Sequence, residues 1–424
     1  LSEMFGEDQL GTDRFLRTLG WARVAEKELQ TLDPGSKAIV QAYADGVNAY
    51  LAEHKGASLS MEYAILGLLT RGYEPEPWTP LNTLTWAKVM AWDLGGNMDG
   101  EINQAILFGV MNQSQIEDLY PAYPEDEHPV IVPEFDLGES ASLPAAGAAH
   151  VLPRELLDLF TSLNQQTARL DALIGPRGPE IGSNNWVISG KRTETGKPLL
   201  ANDPHLGIQM PAIWYENGLH CQPLTTECPY DVVGFSFAGA PAVIIGHNQY
   251  IAWGVTNVGP DVQDLYIEKI NPNNPNQYEF EGKWVDMELV EETINVAGGD
   301  PVALTVRYPR HGPIISDTYG GLEDFSSEAG IALPASYAIS LRWTALDTAT
   351  VFEPFWRINL ARNWQEFRTA LSTYSAPSQN LVSADVNGNI GYQTPGFTPI
   401  RMQGDGSLPV PGWTGEYEWE GYIP

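Results

Sequence analysis

The hydrophobic pattern of this 424-residue chain changes near residue 183, and this change constrains the fold more than any other feature. Before residue 183, apolar side chains recur at helical spacing, as over residues 39–50, behind the helix-starting pair Asp33-Pro34. After it, short apolar runs bounded by turn residues, such as 186–189 and 242–245, predict β-strands. The sequence therefore predicts an α+β fold in which helices come first and a sheet-rich part follows.

Three segments are predicted along the chain. Residues 1–152 form a helical segment whose last part, from residue 118, is rich in Pro, Glu and Ala and predicts a linker. Residues 153–182 contain one further amphipathic helix, at 153–173, and a spacer rich in Gly and Pro. Residues 183–424 form the sheet-rich segment.

The chain carries 54 acidic and 23 basic residues, a formal net charge of −31. Such a charge repels phosphate backbones and anionic membranes, so neither a nucleic acid nor a membrane is an expected partner. No apolar run reaches the roughly 18 residues that a membrane-spanning helix needs. An acidic balance is typical of secreted or salt-adapted proteins, although solubility alone is the simpler explanation.

The two cysteines, Cys221 and Cys228, lie seven positions apart across a turn-rich stretch. A disulfide between them is feasible if their Cα atoms come within about 7 Å, and it would suit an oxidising compartment. Two free buried thiols are the alternative, and the sequence does not choose between them. No zinc pattern is present, because the two cysteines, even with the adjacent His220, supply fewer than the four ligands of a tetrahedral site.

Ser183 stands in an unusual setting for a nucleophile, directly after Gly182 and before Asn-Asn-Trp. No histidine or carboxylate flanks it in the pattern of a Ser-His-Asp hydrolase. If the bond before Ser183 were cut, its own α-amine, with a pKa of about 7.7–8.0, would be a base near working pH. A free amine can take the hydroxyl proton, which is how N-terminal nucleophiles are activated.

Ordered blocks of sequence carry a resemblance to a known family; they lie at residues 182–186, 202–205, 246–248 and 252–257. Their order and spacing are similar to those of the penicillin acylase family of N-terminal nucleophile hydrolases, and further blocks follow at 385–392 and 408–412. The resemblance implies a four-layer αββα sandwich with a helical small-chain segment wrapped around it. It also implies a periplasmic or secreted protein.

The same resemblance implies an inactive precursor. Autocatalytic cleavage would fall between Gly182 and Ser183, and the small and large chains would stay together as a heterodimer. Gly182 has no Cβ, so a hydroxyl can approach its carbonyl. The family's opening segment and its C-terminal part, with a second oxyanion donor, are expected to lie outside this chain, and an uncut chain is expected to have an immature site.

The implied chemistry is acyl transfer on a small-molecule amide, without an organic cofactor. Ser183 Oγ attacks the carbonyl carbon, the serine amine takes and returns the proton, and water hydrolyses the acyl-enzyme. The resemblance assigns the oxyanion donor to the backbone N–H of Asn257. It assigns His205 to orienting the serine amine, with a purely structural histidine as the alternative.

An acidic block suggests a metal site. Asp261 and Asp264 lie three apart with the carbonyl of Gln263 between them, which suits a hard cation with oxygen ligands. The resemblance identifies this block as a Ca²⁺ site, with Glu101 as the small-chain ligand and the carbonyl of Pro399 as a further ligand. A solvated acidic turn is the alternative.

The acyl pocket is also assigned by resemblance. Leu206, Ile245 and Val255 match the positions that line it from the large chain, and all three are apolar, as a hydrophobic acyl group requires. Ala91 and Gly95 match the small-chain positions that close it, and their small size favours a longer aliphatic chain. Core packing is the alternative for each of these residues.

Other classes of function remain as alternatives. The chain contains no Gly-x-Ser-x-Gly elbow and no His-Glu-x-x-His motif, which disfavours two common types of hydrolase. A secreted β-rich binding module would use its tryptophans as a ligand surface and would not be cut. A catalytically inactive acylase homologue is the third alternative.

Overall fold

The computed structural model describes residues 1–69, 73–108, 111–121, 181–208, 210–318, 337–348 and 350–423, and also residues 160, 161, 163, 164 and 167. Within these residues the mixed helix and sheet content is confirmed. Most of the predicted linker, of the predicted helix at 153–173 and of the spacer lies outside the described residues, although the five described residues between 160 and 167 are helical. The boundaries of the three segments therefore stay a prediction.

Helices fill the first part of the described chain and return near residue 353. In chain order they are α1 (Ser2–Phe5), α2 (Leu10–Leu19), α3 (Trp21–Thr31), α4 (Pro34–Glu53), α5 (Met61–Leu69), α6 (Pro80–Gly95), α7 (Met98–Phe108), α8 (Gln113–Leu119), α9 (Glu353–Ile358) and α10 (Trp364–Leu371). Helix α4 begins as its sequence predicts: Asp33 accepts hydrogen bonds from the N–H groups of Gly35 and Ser36, and Pro34 occupies the first helical position.

Strands follow from residue 182 onwards. They are β1 (Gly182–Ile188), β2 (Leu199–His205), β3 (Trp214–His220), β4 (Asp231–Phe237), β5 (Ile245–Asn248), β6 (Ile251–Asn257), β7 (Gln263–Asn271), β8 (Asn274–Phe280), β9 (Lys283–Asp286), β10 (Glu288–Ile294), β11 (Val302–Tyr308), β12 (Tyr337–Trp343), β13 (Gln379–Asp385), β14 (Ile390–Gln393), β15 (Pro399–Arg401), β16 (Val410–Pro411) and β17 (Trp419–Tyr422).

The larger sheet of the described residues has the strand order β14-β13-β6-β5-β4-β3, and each neighbouring pair is antiparallel. Side-chain alternation directs Val255 and Leu381 to one face, where they are buried in a core shared with α6, α9 and α10. The other face carries exposed Phe235, Ile390 and Tyr392. The β1–β2 pair lies against β6 at one end of that second face.

A second sheet has the strand order β12-β7-β8-β9, with β16 added parallel to β7. Its Leu265 and Leu341 pack with Trp92 of α6 in a second core. Helix α6 lies between the two cores, because Met90 belongs to the first while Ala91 and Trp92 belong to the second. A helix with apolar surroundings on both sides is buried nearly all round.

Cys221 and Cys228 form a disulfide with a Cα–Cα distance of 5.7 Å, so the alternative of two free thiols is wrong. The bond closes the loop between β3 and β4, two strands of the larger sheet. A search for membrane-spanning helices among the described residues finds none that is long and apolar enough.

Candidate active site

The first residues of β1 place Ser183 beside the last residue of β6. In the antiparallel β1–β2 pair, Ser183 lies opposite Pro204 and Gly182 lies opposite His205. The backbone N–H of Asn257, the last residue of β6, donates a hydrogen bond to Ser183 Oγ over 3.2 Å. The structure thus brings together Ser183, His205 and Asn257, the three residues that the sequence singles out for catalysis.

Asn202 holds the nucleophile strand against β6. Its Nδ2 donates to the carbonyl oxygens of Asn184 and Val255, both over 2.9 Å, and its Oδ1 accepts from the Val255 N–H over 2.8 Å. Gly254 leaves room for this side chain, since a Cβ at that position would lie 3.0 Å from Asn202. These contacts fix Ser183 relative to the N–H of Asn257.

His205 lies directly against the glycine that precedes the nucleophile. A Cβ on Gly182 would lie 3.0 Å from His205 Nε2, so the absence of a side chain at position 182 makes this approach possible. The other ring nitrogen, Nδ1, is 3.1 Å from the Asp203 carbonyl oxygen and 3.3 Å from Asp203 Oδ2. The ring is therefore oriented by Asp203 and presents Nε2 to the bond between residues 182 and 183.

The chain is continuous through Gly182 in this structure, and the nitrogen of Ser183 is a peptide amide. An amide nitrogen has no lone pair available for a proton. The described site therefore pairs the Ser183 hydroxyl with a backbone donor, and in the uncut chain the Ser183 nitrogen cannot act as a base.

An apolar cavity of about 400 Å³ lies beside Ser183, and Ser183 and Asn257 form part of its wall. Of the predicted pocket residues, Leu206, Ile245, Val255 and Gly95 line it. The other walls come mostly from apolar residues of α6, α9 and neighbouring loops: Met90, Leu94, Val351, Phe352, Phe355, Tyr374 and Pro377. The volume and lining are typical of a small-molecule site.

Ala91 was expected in this pocket, and that expectation is wrong. Ala91 is buried in the second core with Trp92, on the side of α6 that faces β7 and β12. Met90, Leu94 and Gly95 are the α6 residues on the cavity side. Gly95 is small because Pro377 packs against it, with its Cβ 3.0 Å from where a Gly95 Cβ would stand.

The acidic block forms a cluster with a basic residue. Arg401 Nη2 lies 2.6 Å from Asp264 Oδ1 and 3.1 Å from Asp261 Oδ1. Burial, followed by the nearby charges of Asp264 and Asp261, raises the pKa of Glu101 well above its usual range. Burial also raises the pKa of Asp261 to about 7, although Arg401 acts in the opposite direction. Burial and the crowding of carboxyl groups therefore favour the neutral forms of Glu101 and Asp261 beside the single Arg401.

Gln263 and Pro399 behave differently from the other predicted ligands. The side chain of Gln263 accepts hydrogen bonds from the N–H groups of Asn97 and Met98, at the start of α7. Pro399 pairs with Tyr422 in the β15–β17 ladder, so its predicted role as a carbonyl ligand stays a prediction. Gly406 lies close to Asp261 and Arg401: a Cβ added to Gly406 would lie 2.6 Å from Arg401 Nη2.

The donor chemistry of this cluster suits a hard cation, but its arrangement is that of an ion pair. Both oxygens of Glu101 accept from the Leu265 N–H, each over 3.1 Å. Asp264 is held by Arg401 and by the indole N–H of Trp419. Within the described ranges, no three His, Cys, Asp or Glu side chains converge as metal ligands. Ca²⁺ would fit the charge and the ligand type, with Arg401 as its competitor.

Gln379 is a site residue that the sequence pattern does not single out. It lies opposite Asn257 in the β13–β6 pair, and its Nε2 donates to Asn257 Oδ1 over 2.9 Å. A polar residue at the start of a strand carries no recognisable signal by itself. Only the strand register, which sequence alone does not give, reveals its partner.

Comparison with known proteins gives a consistent family. A model of the penicillin amidase family matches residues 1–424. The acyl-homoserine lactone acylase QuiP of Pseudomonas aeruginosa is 31% identical over 423 residues, covering 100% of this chain and 46% of the relative. Penicillin G acylase of Escherichia coli is 28% identical over 463 residues, covering 100% of this chain and 51% of the relative. The chain thus spans about half the length of the curated relatives it matches.

Among solved structures, a thermostable penicillin G acylase from Alcaligenes faecalis is similar to this chain. The two align with a TM-score of 0.46 and 31% sequence identity, over 57% of this chain and 40% of that one.

Proposed function

This chain belongs to the penicillin amidase family, and from that premise we propose that it hydrolyses linear N-acyl amides. Because the chain spans about half the length of its relatives, the activity is proposed for the full-length protein. The observation that carries the proposal is the hydrogen bond from the Asn257 N–H to Ser183 Oγ, beside an apolar cavity. An acyl-transfer site needs this combination of nucleophile, fixed donor and pocket.

The proposed reaction begins once the bond between Gly182 and Ser183 has been cut. The freed amine of Ser183 takes the proton of its own Oγ, which attacks the substrate carbonyl and forms an acyl-enzyme. The Asn257 N–H, 3.2 Å from Oγ, is close enough to donate to the oxyanion, which forms on the carbon that Oγ attacks. The amine then protonates the leaving amine, and water releases the carboxylic acid.

Autocatalytic cleavage before Ser183 is part of the proposal. It is supported by the close approach of His205 Nε2 to Gly182, which would hold the peptide before cleavage and orient the amine afterwards. Intact mass and N-terminal sequencing of the full-length protein test it. We expect a new N-terminus at Ser183 in the wild type and an uncut chain in Ser183→Ala. Full amide hydrolysis by an uncut wild-type chain would overturn the mechanism, and an uncut inactive chain would favour a binding module.

The proposed acyl group is aliphatic. The names of the relatives point to two kinds of substrate, acyl-homoserine lactones for QuiP and penicillin G for the E. coli enzyme. The cavity is lined mostly by apolar side chains, among them Leu94, Leu206 and Ile245, which suit an aliphatic chain. Hydrolysis rates on phenylacetyl and long-chain acyl amides decide between these two kinds of acyl group. A clear phenylacetyl preference would contradict the aliphatic assignment.

The finer architecture is proposed as a four-layer αββα sandwich made from a small and a large chain as a heterodimer. It is supported by the larger sheet, which has helices on one face and exposed Phe235, Ile390 and Tyr392 on the other. The β1–β2 pair already lies against part of that face, where a second sheet would pack. The disulfide suits a periplasmic or secreted protein.

Calcium binding is also proposed at the acidic cluster. Glu101, Asp261 and Asp264 would supply carboxylate oxygens and Gln263 a backbone carbonyl. The ion would favour the charged forms of Glu101 and Asp261, which burial first and mutual repulsion second disfavour by raising their pKa. Thermal unfolding of the wild type and of Asp261→Asn, with Ca²⁺ or with a chelator, tests this. We expect Ca²⁺ to raise the Tm of the wild type only. An equal Tm with and without Ca²⁺ would mean that Arg401 alone neutralises the cluster.

A further inference from the structure

Two amide side chains stand together in the cavity wall beside the nucleophile. Gln379 Nε2 donates to Asn257 Oδ1 and to the backbone carbonyl oxygen of Ser378, both over 2.9 Å. Gln379 is only 5% exposed, and both amide residues line the cavity. The proposed reaction uses only the backbone N–H of Asn257, so it gives neither of these two side chains a role.

The hydrogen bonds fix the orientation of both amides. A backbone carbonyl can only accept, so the group of Gln379 that faces the Ser378 oxygen must be its NH₂. Since that NH₂ also faces Asn257, the atom of Asn257 that meets it must be Oδ1. Gln379 Oε1 and Asn257 Nδ2 remain. Neither has a hydrogen-bonding partner among the described residues, so the pair offers one acceptor and one donor group.

The Gln379–Asn257 pair is the polar end of a cavity wall that is otherwise apolar. Along the same face of β6 and β13, the next pair inward is Val255 opposite Leu381, and both are buried. An acyl chain whose carbonyl meets Ser183 Oγ would pass the amide pair with its first carbons. Its tail would lie beyond Val255, among the apolar residues.

Resting on the proposed acylase function, we propose that the Gln379–Asn257 pair selects acyl groups with an oxygen substituent close to the scissile amide. Asn257 Nδ2 donates to a hydroxyl or an oxo group, and Gln379 Oε1 accepts from a hydroxyl. An unsubstituted chain shields both amides from water without offering a partner, which lowers its affinity.

Matched amides of octanoyl, 3-hydroxyoctanoyl and 3-oxooctanoyl groups with one common amine test the proposal in the full-length protein. We expect kcat/KM for both substituted amides to exceed that of the plain amide about tenfold, the effect of one net hydrogen bond near the upper end of its usual range. Gln379→Leu, similar in size and without polar atoms, removes both the acceptor and the hydrogen bond that orients the Asn257 amide. The ratio should therefore fall close to one, mainly through lower values for the substituted amides.

Two further variants separate recognition from folding. Gln277→Leu removes a strand glutamine that also donates to a polar side chain, Asp286, but lies in β8 of the other sheet, and it should keep the wild-type ratio. Gln379→Glu keeps the shape of the residue but accepts from Asn257 Nδ2, which uses up the free donor. The preference for the oxo substrate should then be lost, a result that a structural role alone does not predict.

Binding of octanoic and 3-hydroxyoctanoic acid, measured by calorimetry, distinguishes failure of this inference from failure of the proposed function. If no amide is hydrolysed, the proposed function fails, while tighter binding of the hydroxy acid that disappears in Gln379→Leu still supports the amide pair. Equal values for plain and substituted ligands overturn the inference, as does a preference that survives in Gln379→Leu. A preference for oxygen on the leaving amine instead of the acyl chain overturns it too.

Discussion

Asn202 joins the nucleophile strand to the strand that carries the oxyanion donor, so Asn202→Ala should weaken both the fold and the site. The side chain makes three hydrogen bonds to backbone groups at 2.8–2.9 Å, two with Val255 and one with Asn184. At about 1 kcal/mol each, they would contribute about 3 kcal/mol to the free energy of unfolding. Asn184 is exposed, so water can replace that partner. The expected loss is then about 2 kcal/mol, from the buried groups of Val255.

Asn248 offers a matched control in the six-stranded sheet, to which Asn202 is bonded through Val255. Its side chain also bonds only to backbone groups, donating to Asn359 and Ala361 and accepting from Tyr250 and Ile251. Asn248→Ala should therefore cost at least as much stability. It should nevertheless leave the rate of cleavage before Ser183 unchanged, since it does not touch β1.

Stability is measured by urea unfolding in the uncut Ser183→Ala background, so that one continuous chain unfolds in every variant. Cleavage is followed by intact mass over time in proteins that keep Ser183. Asn202→Ala should lower the urea midpoint and slow cleavage, whereas Asn248→Ala should lower only the midpoint. If Asn202→Ala lost about 2 kcal/mol yet matured at the wild-type rate, the idea that this side chain positions the nucleophile would be wrong.

Gly182→Ala should slow the appearance of the Ser183 N-terminus in a mass-spectrometric time course, because the added Cβ would lie 3.0 Å from His205 Nε2; an unchanged rate would contradict the close approach. His311→Gln should lower the Tm, and the loss should vary with pH. Burial lowers the pKa of His311, but its hydrogen bonds with Glu268 and Glu418 outweigh burial and raise that pKa above about 6.5. For Glu418 the signs are reversed: burial raises its pKa, and the hydrogen bond with His311 helps to bring it below about 4.5. The Tm difference between the wild type and His311→Gln should therefore be largest from about pH 4.5 to 6.5. It should fall as the pH rises through the raised His311 pKa, and also as the pH drops through the lowered Glu418 pKa. A pH-independent difference would refute the coupling between these two groups.

The candidate catalytic residues could be predicted from the sequence because they stand in short blocks with recognisable spacing. Ser183, His205 and Asn257 all belong to such blocks, and the structure brings them together. The partners that hold them could not be predicted in the same way. Gln379 meets Asn257 only through the register of β13 on β6, which depends on long-range pairing.

The errors have equally physical causes. Ala91 was expected in the pocket because it matches a family position, but α6 is apolar on both sides and the sequence does not say which core each of its residues enters. The approach of Gly406 to Asp261 and Arg401 could not be foreseen either, because a glycine in the loop after β15 carries no sign of its partners; Pro399 as a ligand stays a prediction. Arg401 was not foreseen, since a single arginine gives no sign of which carboxylates it will meet.

Helix α6 forms one wall of the acyl cavity through Met90 and Leu94, while its reverse side rests on β7 and β12 through Ala91 and Trp92. A larger side chain on that reverse side has nowhere to go, because close-packed interiors transmit strain instead of absorbing it. It would push the helix forward and shorten the space for the substrate tail without touching the substrate. Evolution or a protein engineer could therefore retune chain-length preference from behind the pocket, by substitutions that no inventory of contact residues would suggest.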